Sequence, residues 1–476
     1  MKKYHELIEG YPPGATVTAA DVRRARDAAH ETTIYVVLDD DPTGTQSVAD
    51  LPVLTSWEEE DFLWAYATGK PAVYVMTNSR SLSANDAERV NREVTRAALK
   101  AATTAGVTVA FVSRSDSTLR GHFPLEPQTI VDEYAAATGR KADGIVVVPA
   151  FGDAGRITVG GIHYAGSVES GFVPVGETEF AKDATFGFTS SALADWVEEK
   201  SHVQIPASSV IHIDLTALRT EGEAVPLLQS AKNGAIVVVD IVTEEDLRLL
   251  SLALIEAEAA GSTFVYRVGP PFVRARIGQD VREPLTVREV EDSRRGTASA
   301  RGGLIVVGSH VDLTTRQLNV LRDKQHPAEF EIEVAKVVDA DHRDQHLAAI
   351  AQQAADALNA GNVVVRTSRT LVTGKDRDDS LDISRRVSAA VVEVVQRVLH
   401  ANPPRFVVAK GGITSSDVAS KGLGIRHAMV IGPMLPGIVS LWSGQDGPAA
   451  GIPYVVFAGN VGNEESLAAV VNTLSH

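Results

Sequence analysis

Three consecutive carboxylates stand directly after the apolar run Ile34-Tyr35-Val36-Val37-Leu38, in the stretch Asp39-Asp40-Asp41-Pro42-Thr43-Gly44-Thr45-Gln46. Three more apolar runs end in similar company. Ala72-Val73-Tyr74-Val75-Met76 leads into Thr77-Asn78-Ser79-Arg80, and Val107-Thr108-Val109-Ala110-Phe111 leads into Ser113-Arg114-Ser115-Asp116-Ser117-Thr118-Leu119-Arg120-Gly121-His122. Ile145-Val146-Val147-Val148 leads into Pro149-Ala150-Phe151-Gly152. Guanidinium forks bind a planar carboxylate bidentately, while carboxylates and hydroxyls exchange hydrogen bonds with a polyol. The mixture therefore fits a hydroxylated acid. An aspartate among these groups could also take the proton of an attacking hydroxyl, as in other phosphoryl-transfer enzymes. Each loop alone has an ordinary structural reading, because Asp, Thr and Gly are common in turns and helix caps. Single arginines are often surface ion pairs worth little. Four such loops together weigh toward a site.

The second half ends its apolar runs differently, in Gly308-Ser309-His310, Lys410-Gly411-Gly412-Ile413-Thr414-Ser415-Ser416-Asp417 and Ala458-Gly459-Asn460-Val461-Gly462. A glycine pair opening a helix offers free backbone N–H groups, hydroxyls and a positive helix end to an anion, which is how phosphates are held. The same residues read equally well as a capped turn, with Thr414 and Asp417 as a capping box. No segment has the P-loop spacing: Gly374-Lys375 lacks both the upstream glycine and a following Ser or Thr. Gly422-Leu423-Gly424 reads as a helix stop rather than a dinucleotide fingerprint. The histidines show no ligand spacing, and no tightly held transition metal is expected; Mg²⁺ carried by a nucleotide needs no dedicated cage.

The elements that must position these loops alternate. Short β-branched runs suit buried parallel strands, and between two of them Ala87, Val90, Val94, Ala97 and Ala101 recur at helical steps behind a Ser83 cap. Further runs at Val210–Ile213, Ile236–Val239 and Phe264–Val265 continue the pattern; Gly152 to Ser190 is a glycine-rich excursion. The pattern lapses between about Arg274 and Gly303, then resumes at Leu304–Val307, Asn362–Val365, Phe406–Ala409 and Tyr454–Phe457, with a helix marked by Ile383, Val387, Val391, Val394 and Val398. The reading is an α/β chain of two domains, each a mostly parallel sheet flanked by helices, divided as residues 1–290 and 291–476, with the active site in the cleft between them.

Composition narrows the class. A chain of 476 residues exceeds one ordinary core. A net charge of -16 gives no overall basic surface for nucleic acid or an anionic membrane. With Cys 0, disulfides, zinc–thiolate sites and thiol nucleophiles are excluded. No stretch approaches the ~20 apolar residues of a membrane span. A cytoplasmic protein is expected, and the large apolar content is compatible with a homodimer.

Taken in order, Asp40-Asp41-Pro42-Thr43-Gly44, Asp116-Ser117-Thr118-Leu119-Arg120-Gly121, Pro149-Ala150-Phe151 with Gly155-Arg156, and Lys410-Gly411-Gly412-Ile413-Thr414-Ser415 resemble the motifs of the four-carbon acid sugar kinase family over nearly the whole chain. The resemblance implies a sugar-acid-binding N-terminal half, an ATP-binding C-terminal half, and MgATP-dependent phosphorylation of a hydroxyl on an acid such as threonate, erythronate, 3-oxo-tetronate or 3-oxo-isoapionate. It makes Asp40, Asp41, Ser79, Arg80, Asp116 and Arg120 the substrate candidates, with Asp41 or Asp116 the base. It makes Ser309, Gly411, Gly412, Ile413, Thr414 and Gly459 the nucleotide candidates. In this reading Arg80, Arg120 or both take the acid's carboxylate, and domain closure excludes water. Phe457 and Val461 stand where the family commonly has a lysine and an aromatic. Glu177 to Gly187 and His122-Phe123-Pro124-Leu125-Glu126 also depart from the family pattern. A non-catalytic sugar-acid or nucleotide sensor is the alternative. A nicotinamide-dependent oxidoreductase is a weaker one, since no strand feeds a GxGxxG turn.

Overall fold

The computed structural model describes residues 1–295, 300–369 and 377–476; the Gly374-Lys375 pair and Gly296, near the expected domain boundary, lie outside them. The chain divides into two compact units. The first holds Met1–Val48 and Trp57–Val281, the second Ala49–Ser56 and Arg282–His476. In chain order the strands are β1 (Ile34–Asp39), β2 (Leu51–Leu54), β3 (Ala72–Met76), β4 (Val109–Arg114), β5 (Gly144–Val148), β6 (Arg156–Val159), β7 (Ile162–Ser167), β8 (Gly171–Pro174), β9 (Ile211–Ile213), β10 (Ala235–Val239) and β11 (Phe264–Val268). They continue with β12 (Leu304–Val307), β13 (Ala328–Ile332), β14 (Val363–Thr367), β15 (Val407–Lys410), β16 (His427–Leu435), β17 (Ile438–Gly444) and β18 (Pro453–Phe457).

In the first unit the strands run parallel in the order β3-β1-β4-β11-β5-β10-β9. Every residue of β1, β3 and β5 is buried, as expected for a parallel sheet covered on both faces. The crossover from β3 to β4 is the helix Ala84–Ala105, capped where Ser83 accepts from the Asp86 N–H at 3.2 Å and ended by Gly106 at φ +68°. Its buried stripe passes through Ala98, with Ala97 only half-buried, because Ala98 is the residue that stacks between Val94 and Ala101. The glycine-rich excursion forms a small antiparallel sheet, β6-β7-β8, followed by two short 3₁₀ turns at Val175–Glu177 and Glu179–Lys182.

The second unit orders its strands β13-β14-β12-β15-β18-β17-β16-β2. Those from β13 to β18 pair in parallel; β17, β16 and β2 pair antiparallel. Strand β2 comes from the beginning of the chain and pairs with β16, Val53 opposite Ala428. Side chains of Ile305, Val307, Val408, Leu441, Val455 and Phe457 meet Leu318, Leu467 and Val471 of the covering helices in one buried cluster. Among the described residues, no helix is long and apolar enough to cross a membrane.

Candidate functional site

Strands β1 and β4 run on past their apolar stretches, so that Asp39 and Arg114 are themselves strand residues and register partners. Sequence reading had placed them in the loops. Arg114 Nη2 meets Asp39 Oδ1 at 2.5 Å, with both side chains almost wholly buried, and also donates to the Asp41 carbonyl at 2.9 Å. Burial pushes the Asp39 carboxyl up to about 7 against the pull of Arg114. Gly44 lies against this pair; a Cβ there would collide with the Asp39 carboxylate and the Arg114 guanidinium.

Beyond this pair the loops converge. Arg80 donates from Nε and Nη2 to the two Asp40 oxygens at 3.1 and 2.6 Å, and its Nη1 lies 3.4 Å from Asp41. Asp41 accepts from the Thr43 N–H at 3.0 Å and hydroxyl at 2.6 Å. Asp116 accepts from Arg120 Nε at 2.7 Å and from the Thr118 hydroxyl. The turn that allows this places Leu119 at φ +68° and Gly121 at φ +112°, and a Cβ on Gly121 would come within 3.0 Å of Asp40. Burial opposes ionisation of both Asp41 and Asp116, but the guanidinium groups prevail. Arg80, Arg114 and Thr43 hold Asp41 below the usual carboxylate range, and Arg80 and Arg120 hold Asp116 at about 2. Both are ionised at neutral pH.

The structure thus brings Asp40, Asp41, Arg80, Asp116 and Arg120 into one charged cluster. Ser79 stands behind it: its buried hydroxyl donates to Glu126, which also accepts from Asn91 at 3.3 Å. Burial, with Asp40 close by, pushes the Glu126 carboxyl up to about 7. Three charged residues that sequence reading did not assign also belong here. Arg267 projects from β11, which runs to Val268 rather than stopping at Val265; its guanidinium lies 5.5 Å from the Phe123 ring and 5.9 Å from the Trp196 ring. Asp183 lies 3.6 Å from Arg120. Arg156 and Arg120 both lie beside the Phe180 ring, 5.4 and 5.3 Å from its centroid. The segments 122–126 and 177–187 touch each other, with the His122 and Phe186 rings packed edge to face at 4.9 Å. An arginine inside an apolar strand, as in Val265-Tyr266-Arg267-Val268, is the signal that could have exposed Arg267.

In the second unit Ser309, Gly411, Thr414 and Gly459 come together. The Thr314 hydroxyl bridges Ser309 Oγ at 3.1 Å and the Gly459 carbonyl at 2.9 Å, and the Gly411 N–H donates to the Phe457 carbonyl at 2.8 Å. A Cβ on Gly459 would strike Ser309 Oγ, whereas one on Gly412 would enter open space. The helix Gly412–Asp417 starts earlier than the Thr414–Asp417 capping box requires. Its N-cap is Gly411 at φ +132°, which makes no side-chain cap, so the capping-box reading is corrected. Asp417 accepts from Ser388 and Lys421 instead. Ile413 and Val311 are exposed apolar side chains on these loops. Lys410 is buried, donates to the Ala458 carbonyl at 2.6 Å and lies 3.8 Å from the Phe457 ring centroid; burial lowers its ammonium to about 7. Arg369, also unassigned from sequence, donates to the Ser309 carbonyl and, at 2.6 Å, to the Thr315 hydroxyl. Gly422 ends the helical turn and Gly424 follows at φ +63°, as a helix stop requires.

Residues 35–276 match the sugar-binding N-terminal domain family, and residues 304–467 the nucleotide-binding C-terminal domain family. The chain belongs to the four-carbon acid sugar kinase family. Among curated relatives, a D-erythronate kinase of Heliobacterium modesticaldum is 23% identical over 423 residues, 83% of this chain and 88% of that protein. A D-threonate kinase of Salmonella typhimurium is 29% identical over 256 residues, 53% of each chain. Solved structures share the fold: one from Salmonella typhimurium LT2 has TM-score 0.65 at 19% identity, covering 92% of this chain and 98% of that one. Another, a Haemophilus influenzae protein of a domain-of-unknown-function family, has TM-score 0.60 at 16% identity, covering 92% and 100%.

Proposed function

We propose that this protein is an ATP-dependent kinase that phosphorylates a hydroxyl group of a small sugar acid, an aldonate or oxo-aldonate of the threonate and erythronate kind. The observation that carries the reading is the cluster of Asp40, Asp41 and Asp116 with Arg80 and Arg120 at the strand ends of the unit that matches a sugar-binding domain. Ionised carboxylates there accept hydrogen bonds from the substrate's hydroxyls, and one of Asp41 and Asp116 takes the proton of the hydroxyl that attacks. Both carboxylates are ionised well below neutral pH. Each is therefore ready as a base without prior deprotonation.

The residues of the second unit fit a nucleotide. The open space above Gly412, at the start of the helix Gly412–Asp417 and beside the Ser309 and Gly459 loops, leaves room for phosphates to approach that helix end, and Ile413 with Val311 offers apolar surface to a base. ATP would bring the phosphoryl group to be transferred, with its own Mg²⁺.

Phe457, where the family resemblance would place a lysine, favours one second reading, a sensor that binds both ligands without turnover. ADP release from the purified protein, measured against a panel of C4 to C6 aldonic and oxo-aldonic acids with product mass checked, separates the two. Acid-dependent ADP and a product heavier by one phosphoryl group support the kinase. Thermal stabilisation by acid and ATP with no ADP would establish the sensor instead.

A further inference from the structure

Among the arginines around the charged cluster, three are already paired with carboxylates. Arg114 is neutralised by Asp39, and Arg80 by Asp40 and Asp41. Arg120 lies between Asp116 and Asp183. An incoming carboxylate at any of these would meet resident carboxylates of the same sign. Arg267 has no ion-pair partner among the described residues, but it is only 3% exposed, packed against Phe123 and Trp196, with Nε and Nη1 fully enclosed. A ligand cannot reach it.

Arg156 is different. It begins β6, and its backbone is fixed by reciprocal N–H···O bonds with Phe151 at 2.9 and 3.0 Å. Its guanidinium donates only to the Ala154 carbonyl; Nε is buried without a partner, and no carboxylate lies within 4.0 Å among the described residues. The residue is half-buried, so the charge is sheltered yet accessible. The Phe180 ring, which it shares with Arg120, sets it next to the groups that hold Asp116.

We infer that Arg156 is the residue that takes the carboxylate of the sugar acid, with Phe180 as the wall that aims it and the Arg120–Asp116 pair left to read the neighbouring hydroxyls. This rests on the sugar-acid reading above and assigns a specificity-determining residue within that same site. The carboxylate of a bound acid would supply the counter-charge that Arg156 lacks. Acids would then be selected over the corresponding amides or polyols by this one contact.

The test compares wild type, Arg156→Met, Arg156→Lys and Arg120→Met, using erythronate, threonate and their carboxamides as probes. Binding is read by titration calorimetry, and ADP release is read in parallel. Arg156→Met is expected to weaken binding of the acids by about 10- to 100-fold while leaving the carboxamides unchanged. Arg156→Lys, which keeps the charge and loses the fork, is expected to recover part of the preference for acid. Equal losses for acid and amide, or an acid-selective loss in Arg120→Met with none in Arg156→Met, would overturn the assignment. Calorimetry keeps the two readings apart: acid binding without ADP sinks the kinase and still tests Arg156, whereas ADP formation with no acid preference at Arg156 sinks only the inference. Wild type that binds neither acid would remove both.

Discussion

Asp39 and Arg114 face each other across neighbouring parallel strands, 2.5 Å apart, with almost no solvent on either side chain. Gly44 closes over them. The Asp40–Asp41 loop is therefore seated on a buried ion pair, and its shape depends on a residue without a side chain. Gly44→Ala is expected to lower unfolding stability by about 1–3 kcal/mol through overpacking. Urea denaturation of the purified variant checks this; an unchanged midpoint would mean the loop can lift off the pair at no cost.

The base can be found by asking which carboxylate the reaction misses. Asp41→Asn and Asp116→Asn each keep size and most hydrogen bonding. The variant that removes the base should lose about 10²–10⁴ in kcat, while the other should act mainly on KM. Steady-state kinetics on the acid identified by the panel decides between them.

Gly412→Ala separates ligand from fold in the second unit. A methyl there meets no protein atom within 4 Å, so the melting temperature should not change. If nucleotide phosphates occupy that space, the KM for ATP should rise, by up to about 100-fold. Gly459→Ala serves as the contrast, because its methyl collides with Ser309 and should destabilise the protein itself.

Glu126 and Lys410 predict opposite pH dependences. Burial raises the Glu126 carboxyl to about 7, so the folded chain holds its proton longer than the unfolded chain does. Its contribution falls as pH rises from about 4.3 towards 7 and is lost above that. Glu126→Gln, neutral throughout, should therefore gain on wild type over that interval. Burial lowers Lys410 to about 7, so the unfolded chain binds more protons between about pH 7 and 10.4. Wild type should gain stability over Lys410→Met as pH rises through that range. Melting temperatures of the three proteins across pH 4 to 10, about the range set by those pKa values, test both signs.

Much of the scaffold was readable because β1, β3, β5 and β15 are buried on both faces, and burial of that kind writes itself as unbroken β-branched runs. Strands β2, β13, β16 and β17 were missed, as were β6, β7 and β8 within the glycine-rich excursion. β16 alternates buried with half-buried residues and is bent at Gly432, so it has no such run. Loop chemistry was legible in kind: Asp40, Asp41, Arg80, Asp116 and Arg120 do meet. Their pairing was not, since which carboxylate answers which guanidinium depends on distances the sequence does not carry. Arg156, read only as part of a motif, gained its interest from the carboxylate it lacks. Ser79, a substrate candidate from sequence, is turned inward to Glu126 in the 3₁₀ turn Ser79–Ser81.

Strand β2 carries a consequence for how this chain is made. Residues synthesised near the start supply the strand that closes the edge of β16, whose residues emerge close to the end. Until then β2 has no sheet to join in its own unit, and such long-range pairing is slow to form. A fragment beginning at Arg282 would leave the His427–Val430 edge with open backbone groups, ready to recruit another chain. Cutting the gene between the two units would therefore remove a strand from the half it was meant to isolate.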